Sequence, residues 1–147
     1  MNINVHISVN SHLSPDQNVL LVFSEGRYPS INKSLYGLAV EHTFSCAPNS
    51  SFQLMITKYG HPARSFSYST KLSDIYIDTT LYPYGDVSQD GKVNVGDTAK
   101  VYSHVRNTVL LTDDYVLDCA DASGDGKVNV GDVAKIYSHV RGTATLW

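Results

Sequence analysis

The chain has 147 residues, a formal net charge of −3, 42% hydrophobic residues and 17% charged ones. That balance fits a folded globular chain of one domain or two small ones, and its sign argues against a nucleic-acid partner. No apolar run reaches the 18 residues a membrane-spanning helix needs, so no membrane insertion is expected.

Residues 1–83 read as strands. Ile3, Val5, Ile7 and Val9 alternate with polar residues, the period of a half-buried strand. Val19–Phe23 is a short apolar run, and Leu35–Phe44, Phe52–Tyr59, Ala63–Tyr68 and Ile75–Leu81 are further strand candidates. The breaks at 11–18, 25–34 and 47–51 are rich in Asn, Ser, Pro and Gly. Short strands at such spacing predict an all-β sandwich.

This half carries no catalytic signature. It has no G-x-S-x-G, no H-E-x-x-H and no phosphate-binding loop. His6, His12, His42 and His61 are scattered, and Glu25 and Glu41 are the only glutamates, with nothing in the sequence to bring them together as a glycosidase pair. The chain is therefore expected not to be an enzyme. Seven tyrosines lie here and at its boundary (Tyr28, Tyr36, Tyr59, Tyr68, Tyr76, Tyr82 and Tyr84). Exposed aromatic faces stack on sugar rings, so carbohydrate binding by this half is the alternative to a structural or spacer role. Tyrosine is also an ordinary strand residue. Cys46 and Cys119 are the only cysteines; two separate buried thiols are preferred over one disulfide joining the halves.

A boundary falls near Tyr82–Gly85, and its shortness implies that the halves touch. Beyond it the chain repeats itself. DVSQDGKVNVGDTAKVYSHVRNT begins at Asp86 and DASGDGKVNVGDVAKIYSHVRGT at Asp121, with 18 of 23 positions identical. Each copy places oxygen-bearing residues at the spacing of a 12-residue calcium loop: Asp86, Ser88, Asp90, Lys92, Asn94 and Asp97, then Asp121, Ser123, Asp125, Lys127, Asn129 and Asp132. Calcium is a hard cation that takes six to eight oxygens. The carboxylates and hydroxyl at loop positions 1, 3 and 5 converge if the backbone curls, and Gly91 and Gly126 permit the curl. Lys92 and Lys127 would contribute main-chain carbonyls, Asn94 and Asn129 would act through water, and Asp97 and Asp132 would close the site. Position 3 is Ser, a weaker ligand, and position 12 is Asp where ordinary loops of this spacing carry Glu.

No helix is expected before the first loop, because the approach, LYPYG, contains Pro83 and Gly85. After it, Val95, Thr98, Val101, Tyr102 and Val105 recur at helical spacing, as do Val130, Val133, Ile136, Tyr137 and Val140. Asn107 and Gly142 are placed to end these helices. Between the copies, Thr112–Asp118 reads as a short connecting helix capped by Thr112.

Loop then helix, duplicated, with Asp at position 12, the wording DGKVNVGD and the ending YSHVR, resembles a dockerin module over about Tyr84–Thr143. The endings are similar to those of dockerins from polysaccharide-degrading gut anaerobes. The segment SFQLMITKYGHPARSFSYS with DIYIDTTLYPYGD is similar to the last strands of transthyretin-like or carboxypeptidase-regulatory-like sandwiches, which precede dockerins in X-module–dockerin pairs.

These resemblances imply a two-domain chain: residues 1–83 an N-terminal all-β sandwich of X-module type, residues 84–147 a C-terminal all-α dockerin with two calcium-binding loop–helix motifs. They imply two Ca²⁺ as cofactors and a cohesin module of a scaffold or cell-surface protein as partner. They also imply a secreted, extracellular setting in a cellulosome- or amylosome-like complex. Met1–Ser11 lacks the basic and long apolar regions of a signal peptide, so the chain is expected to be the C-terminal piece of a larger secreted protein.

The partner surface carried over from the family falls on Val95, Gly96, Tyr102 and Ser103 in the first copy and Val130, Gly131, Tyr137 and Ser138 in the second, with Arg106 and Arg141 beside them. A Val-Gly pair stands where the family's familiar Ser-Thr does, which implies a cohesin of another specificity class. Either helix is then able to dominate the contact, in orientations related by 180°. Tyr102 and Tyr137 are assigned to the interface or, alternatively, to the core; Lys100, His104, Lys135 and His139 are expected as polar neighbours. The helices beginning at Val95 and Val130 are expected to run antiparallel, with Val93 and Val128 facing each other between the loops. Leu110, Leu111, Tyr115 and Leu117 are expected to close a small core, and Trp147 to stack on Pro83 or a nearby tyrosine.

Overall fold

The computed structural model describes residues 1–13 and 17–147; residues 14–16, inside the first expected break, lie outside the described residues. The chain forms two compact units. One comprises Met1–Tyr59 and Ala63–Leu81, the other Gly60–Pro62 and Tyr82–Trp147.

The first unit holds β1 (Ile3–Ser11), β2 (Val19–Glu25), β3 (Ile31–Leu35), β4 (Ala39–Cys46), β5 (Ser51–Lys58), from Ala63 on β6 (His61–Ser69), and β7 (Ile75–Leu81). They form a three-stranded sheet, β4-β1-β7, and a four-stranded sheet, β3-β2-β5-β6. β1 runs antiparallel to β4 but parallel to β7. The alternation read from the sequence is realised: Ile3, Val5, Ile7 and Val9 are buried while Asn4 and Asn10 face solvent. On β2, Val19, Leu21 and Phe23 point inward, and on β5, Phe52, Leu54 and Ile56 do. Phe23 joins the two sheets, stacking on Phe44 of β4 at 4.7 Å and on Phe52 of β5 at 4.9 Å. Each such fully buried ring or branched side chain stabilises the fold by about 1.5–3 kcal/mol.

The single strand expected over Leu35–Phe44 is two strands. Gly37, at φ +125°, turns the chain between β3 and β4. β3 itself lies in a segment expected to be a break; it is an edge strand whose INKSL sequence is mostly exposed and shows no apolar alternation. Ile75–Leu81 is observed as expected. Cys46 and Cys119 are both buried and no disulfide joins them, in agreement with the preferred reading. Burial, with the Glu25 carboxyl as hydrogen-bond partner and negative neighbour, pushes the Cys46 thiol up to about 11.

The second unit holds α1 (Val95–Val105), α2 (Asp114–Ala120) and α3 (Val130–Val140). α1 packs against α3. Val101 and Ile136, at equivalent positions of the two copies, are fully buried together with Cys119 and Ala120 of α2. α2 starts two residues later than expected, and its cap is Asp113 instead of Thr112: the Asp113 side chain accepts the Val116 amide at 2.9 Å. A carboxylate on a helix N-terminus also gains from the helix dipole, which a threonine hydroxyl does not. Of the residues expected to close the core, Tyr115 is buried and Leu111 and Leu117 are half-buried, but Leu110 is 57% exposed.

Among the described residues no helix is long and apolar enough to cross a membrane.

Candidate functional site: the duplicated loops and the helices they cap

Each loop is wound around its first aspartate. Asp86 is fully buried. Its Oδ1 accepts from the Ser88 hydroxyl and the Asp90 amide, both at 3.2 Å, and its Oδ2 accepts from the Gly91 amide at 2.8 Å. The last aspartate closes the loop from the helix side. Asp97, also fully buried, accepts the Ser88 amide on Oδ1 and the Asn94 amide on Oδ2, each at 2.9 Å. Gly91 takes φ +86°, the left-handed turn that brings its amide under Asp86.

The second loop repeats these bonds and adds one, from the Gly124 amide to Asp121 Oδ1 at 2.8 Å. Asp121 accepts from the Ser123 hydroxyl (3.2 Å), the Asp125 amide (3.2 Å) and the Gly126 amide (2.8 Å). Asp132, fully buried, accepts the amides of Ser123 (2.9 Å) and Asn129 (2.8 Å). Asp90 and Asp125 each accept the amide two residues on, at Lys92 and Lys127, both at 2.9 Å.

Asn94 and Asn129 have a second role that the loop pattern alone did not reveal. Each is the N-cap of its helix, accepting the amides of Gly96 at 2.8 Å and Gly131 at 2.7 Å. With Asp97 and Asp132 at the third helical position they complete capping boxes. The loop and the helix are thus one unit, and the residue that closes the loop also starts the helix.

The electrostatics suit a cation. Asp86, Asp97 and Asp132 are buried carboxylates, and among the described residues no lysine or arginine pairs with any of them. Burial pushes the Asp86 carboxyl above the usual carboxylate range against the opposing pull of the Gly91 and Asp90 amides, and the charge of Asp97 adds to the rise. Buried, unpaired negative charge costs stability unless something offsets it. The donor set is all oxygen, the chemistry of a hard divalent ion such as calcium, so the residues present fit that ion. Among the described residues no three His, Cys, Asp or Glu side chains by themselves form a group that could hold a metal. Each loop supplies three carboxylates, and the remaining oxygens in its pattern are a hydroxyl, a side-chain amide and a main-chain carbonyl.

The residues assigned to partner contact lie outward. Val95 and Val130 are 65% and 67% exposed, and Tyr102 and Tyr137 are 47% and 45% exposed. The tyrosines are therefore surface residues, although they share the helical period of the buried Val101 and Ile136 stripe. Arg106 donates to the Tyr102 hydroxyl at 3.2 Å and lies over its ring at 5.8 Å; Arg141 lies over the Tyr137 ring at 5.7 Å. Gly96, Arg106, Gly131 and Arg141 are exposed, and Ser103 and Ser138 are half-buried. Lys100 and Lys135 are exposed as expected of polar neighbours.

His104 and His139, half-buried, turn inward to the chain that follows each helix. His104 Nδ1 accepts the amide of Leu111 at 3.0 Å, and His139 Nδ1 accepts the amide of Leu146 at 3.4 Å. These bonds fix the proton on the other ring nitrogen. The stretch after each helix is locked in the same way twice. Thr108 and Thr143 each donate amide and hydroxyl to the carbonyl of Ser103 or Ser138, at 2.9–3.1 Å. The structural repeat therefore runs on to Leu111 and Leu146, past the end of the wording that announced it. Val93 and Val128 are half-buried.

Trp147 is expected against Pro83 or a nearby tyrosine; the contact observed for it is with a histidine of α3. Its ring packs on His139, with centroids 4.5 Å apart. The residue that reaches the start of the unit is Leu146: a Cβ added to Gly85 would lie 2.8 Å from Leu146 Cδ1 and 3.0 Å from Val93 Cγ1.

The second unit is thus a duplicated loop–helix module joined by a short third helix. Residues 84–141 match the family model of the dockerin type I domain. The chain is also similar to an N-terminal interface mutant of a type II cohesin–X-dockerin complex from Acetivibrio cellulolyticus, at 15% identity and a TM-score of 0.37, over 93% of this chain and 94% of that one. It is similar also to a C-terminal interface mutant of the same complex, at 14% identity and a TM-score of 0.36, with the same coverage. No curated protein matches the chain.

Proposed function

We propose that the chain is a non-catalytic anchoring module that binds a cohesin in a calcium-dependent way and docks a secreted protein into a cellulosome- or amylosome-like complex. The observation that carries this reading is the pair of loops, each wound on its first aspartate, each closed by a buried aspartate at its last position and each starting a helix. The family match over residues 84–141 supports it. Two calcium ions would be held by Asp86, Ser88, Asp90, Lys92 carbonyl, Asn94 and Asp97, and by Asp121, Ser123, Asp125, Lys127 carbonyl, Asn129 and Asp132. When bound, each supplies the positive charge that offsets its loop's carboxylates, and its binding free energy adds to the stability of the folded unit.

The interface is formed from the exposed Val95, Gly96, Tyr102 and Arg106 with Ser103 beside them, and is available a second time from Val130, Gly131, Tyr137, Arg141 and Ser138. Tyrosine and arginine held against each other make rigid anchors at small entropic cost. Residues 1–83 serve as an X-module-like partner domain in an extracellular setting.

The test is calorimetric titration of the chain against a panel of cohesins, in calcium and then in chelator. Binding that requires calcium is the expected result. Binding unaffected by chelator would remove the calcium role, and two calcium sites are expected by direct titration of the free chain.

A second reading, that the β-unit also binds carbohydrate, rests on the outer face of its three-stranded sheet. There the exposed Tyr76 ring stacks on His6 at 4.7 Å beside an open groove of about 430 Å³ lined by Ser8, Glu41, Thr43 and Asp78. Polysaccharide pull-down that is lost in Tyr76→Ala would support it.

A further inference from the structure

The identical recognition residues of the two copies offer a partner two equivalent faces, but the chain just beyond the helices does not. After α1 it reads Thr108-Val109-Leu110-Leu111, and after α3 Thr143-Ala144-Thr145-Leu146. The backbone is locked identically in both. Val109 and Ala144 donate to the carbonyls of Ser103 and Ser138 at 3.4 and 3.3 Å, and Leu111 and Leu146 donate to the two histidines. The second copy shows that this conformation needs no large apolar side chain at either middle position. Yet in the first copy both positions are apolar and in water, Val109 at 65% and Leu110 at 57% exposure.

The grooves beside them differ accordingly. Ala99, Lys100, Ser103, Val109 and Leu111 wall an open groove of about 360 Å³ on the first copy. Its counterpart, with Ala134, Lys135, Ser138, Ala144, Thr145 and Leu146, is smaller at about 240 Å³. Ser103 lines the groove and belongs to the same helix turn as Tyr102, so the apolar strip continues the surface already assigned to contact. Exposed apolar side chains that folding does not require mark a surface that something else covers.

We propose that Val109 and Leu110 make the α1 face the preferred docking face, so that the partner engages this chain mainly in one of the two orientations and places an apolar side chain of its own in the Val109 groove. This rests on the cohesin-binding reading. The occupant is that same partner protein, because the groove is lined by Ser103, itself one of the residues assigned to contact, and the apolar strip is carried by one copy only.

The test exchanges the flanks, using residues that the other copy already accommodates. Val109→Ala with Leu110→Thr, and separately Ala144→Val with Thr145→Leu, are titrated as full chains in calcium against a cohesin that binds the unaltered chain. Losing two buried apolar side chains is expected to weaken binding about tenfold or more, while the second variant holds or improves affinity. In the unaltered chain, Tyr102→Ala is expected to weaken binding more than Tyr137→Ala. Equal affinity of the first variant and the unaltered chain overturns the proposal and leaves the cohesin reading standing. If the unaltered chain binds no cohesin, both fall. Sedimentation of the chain alone covers the other occupant: a dimer that dissociates in the first variant assigns the strip to self-association and overturns the proposal.

Discussion

Gly85→Ala tests how the ends of the helical unit are held together. Gly85 sits at φ +90°, a region that costs an L-residue about 1–2 kcal/mol. The new methyl would also stand 2.8 Å from Leu146 Cδ1 and 3.0 Å from Val93 Cγ1, closer than carbon atoms approach without displacement. Overpacking of this kind costs about 1–3 kcal/mol. Alanine restricts the unfolded chain and returns about 0.4–1 kcal/mol. The net expectation is a loss of about 2–4 kcal/mol. In a unit of this size that lowers the melting temperature by roughly 8–30 °C.

The assay is thermal and urea unfolding at fixed calcium, followed by the fluorescence of Trp147, the single tryptophan, which packs on His139 and so reports on this unit. A double-mutant cycle isolates the contact. Leu146→Ala should destabilise the unaltered chain, but should cost less, or help, in the Gly85→Ala background, with a coupling of about 1 kcal/mol. Gly85→Ala within about 0.5 kcal/mol of the unaltered chain would refute the reasoning, and strict additivity would refute the Leu146 contact.

Asp113→Ala removes the α2 cap and is expected to cost about 1 kcal/mol in the same unfolding assay, whereas Thr112→Ala should change stability by less than about 0.5 kcal/mol. The Cys46 thiol gives the β-unit an alkaline dependence. Its folded value, about 11, is above the ordinary thiol value, so its contribution is fully present below about pH 9 and is lost as pH rises through 11. Urea midpoints followed by far-ultraviolet circular dichroism should fall more steeply between pH 9 and 11 in the chain with Cys46 than in Cys46→Ala, both carrying Cys119→Ala. Parallel curves would show that burial and Glu25 do not hold the proton on.

The parts of this chain that were legible are those where one local rule acts alone. β1, β5 and β7 alternate because one face of each is buried, and Ile75–Leu81 could be read to the residue. The ends of α1 and α3 followed from Asn107 and Gly142, which adopt φ +58° and +70° just past the helices. β3 was illegible because INKSL, exposed at a sheet edge, has no buried face to leave a pattern. The parallel pairing of β1 with β7 depends on two strands more than sixty residues apart, and nothing local in either encodes it. At the site, side-chain types and spacing identified the loop residues. They did not reveal that Asn94 and Asn129 would be helix caps, although Asn followed three residues later by an acidic side chain is a signal that capping-box chemistry can use.

The histidines show why the length of the repeat was underestimated. Wording compares side chains, and after Thr108 and Thr143 the wording diverges: Val-Leu-Leu against Ala-Thr-Leu. The physical repeat is carried instead by backbone donors, which every residue but proline has. His104 and His139 accept an amide seven residues on, so the side chain that must be kept is the acceptor, and the donors may sit beneath any sequence. Only the final leucine of each stretch is constrained, half-buried as Leu111 and Leu146. That leaves two positions per copy free of any folding requirement. They are where one copy is free to acquire Val109 and Leu110 and the other Ala144 and Thr145, so a unit duplicated for stability can present two different surfaces without disturbing the loops that hold it.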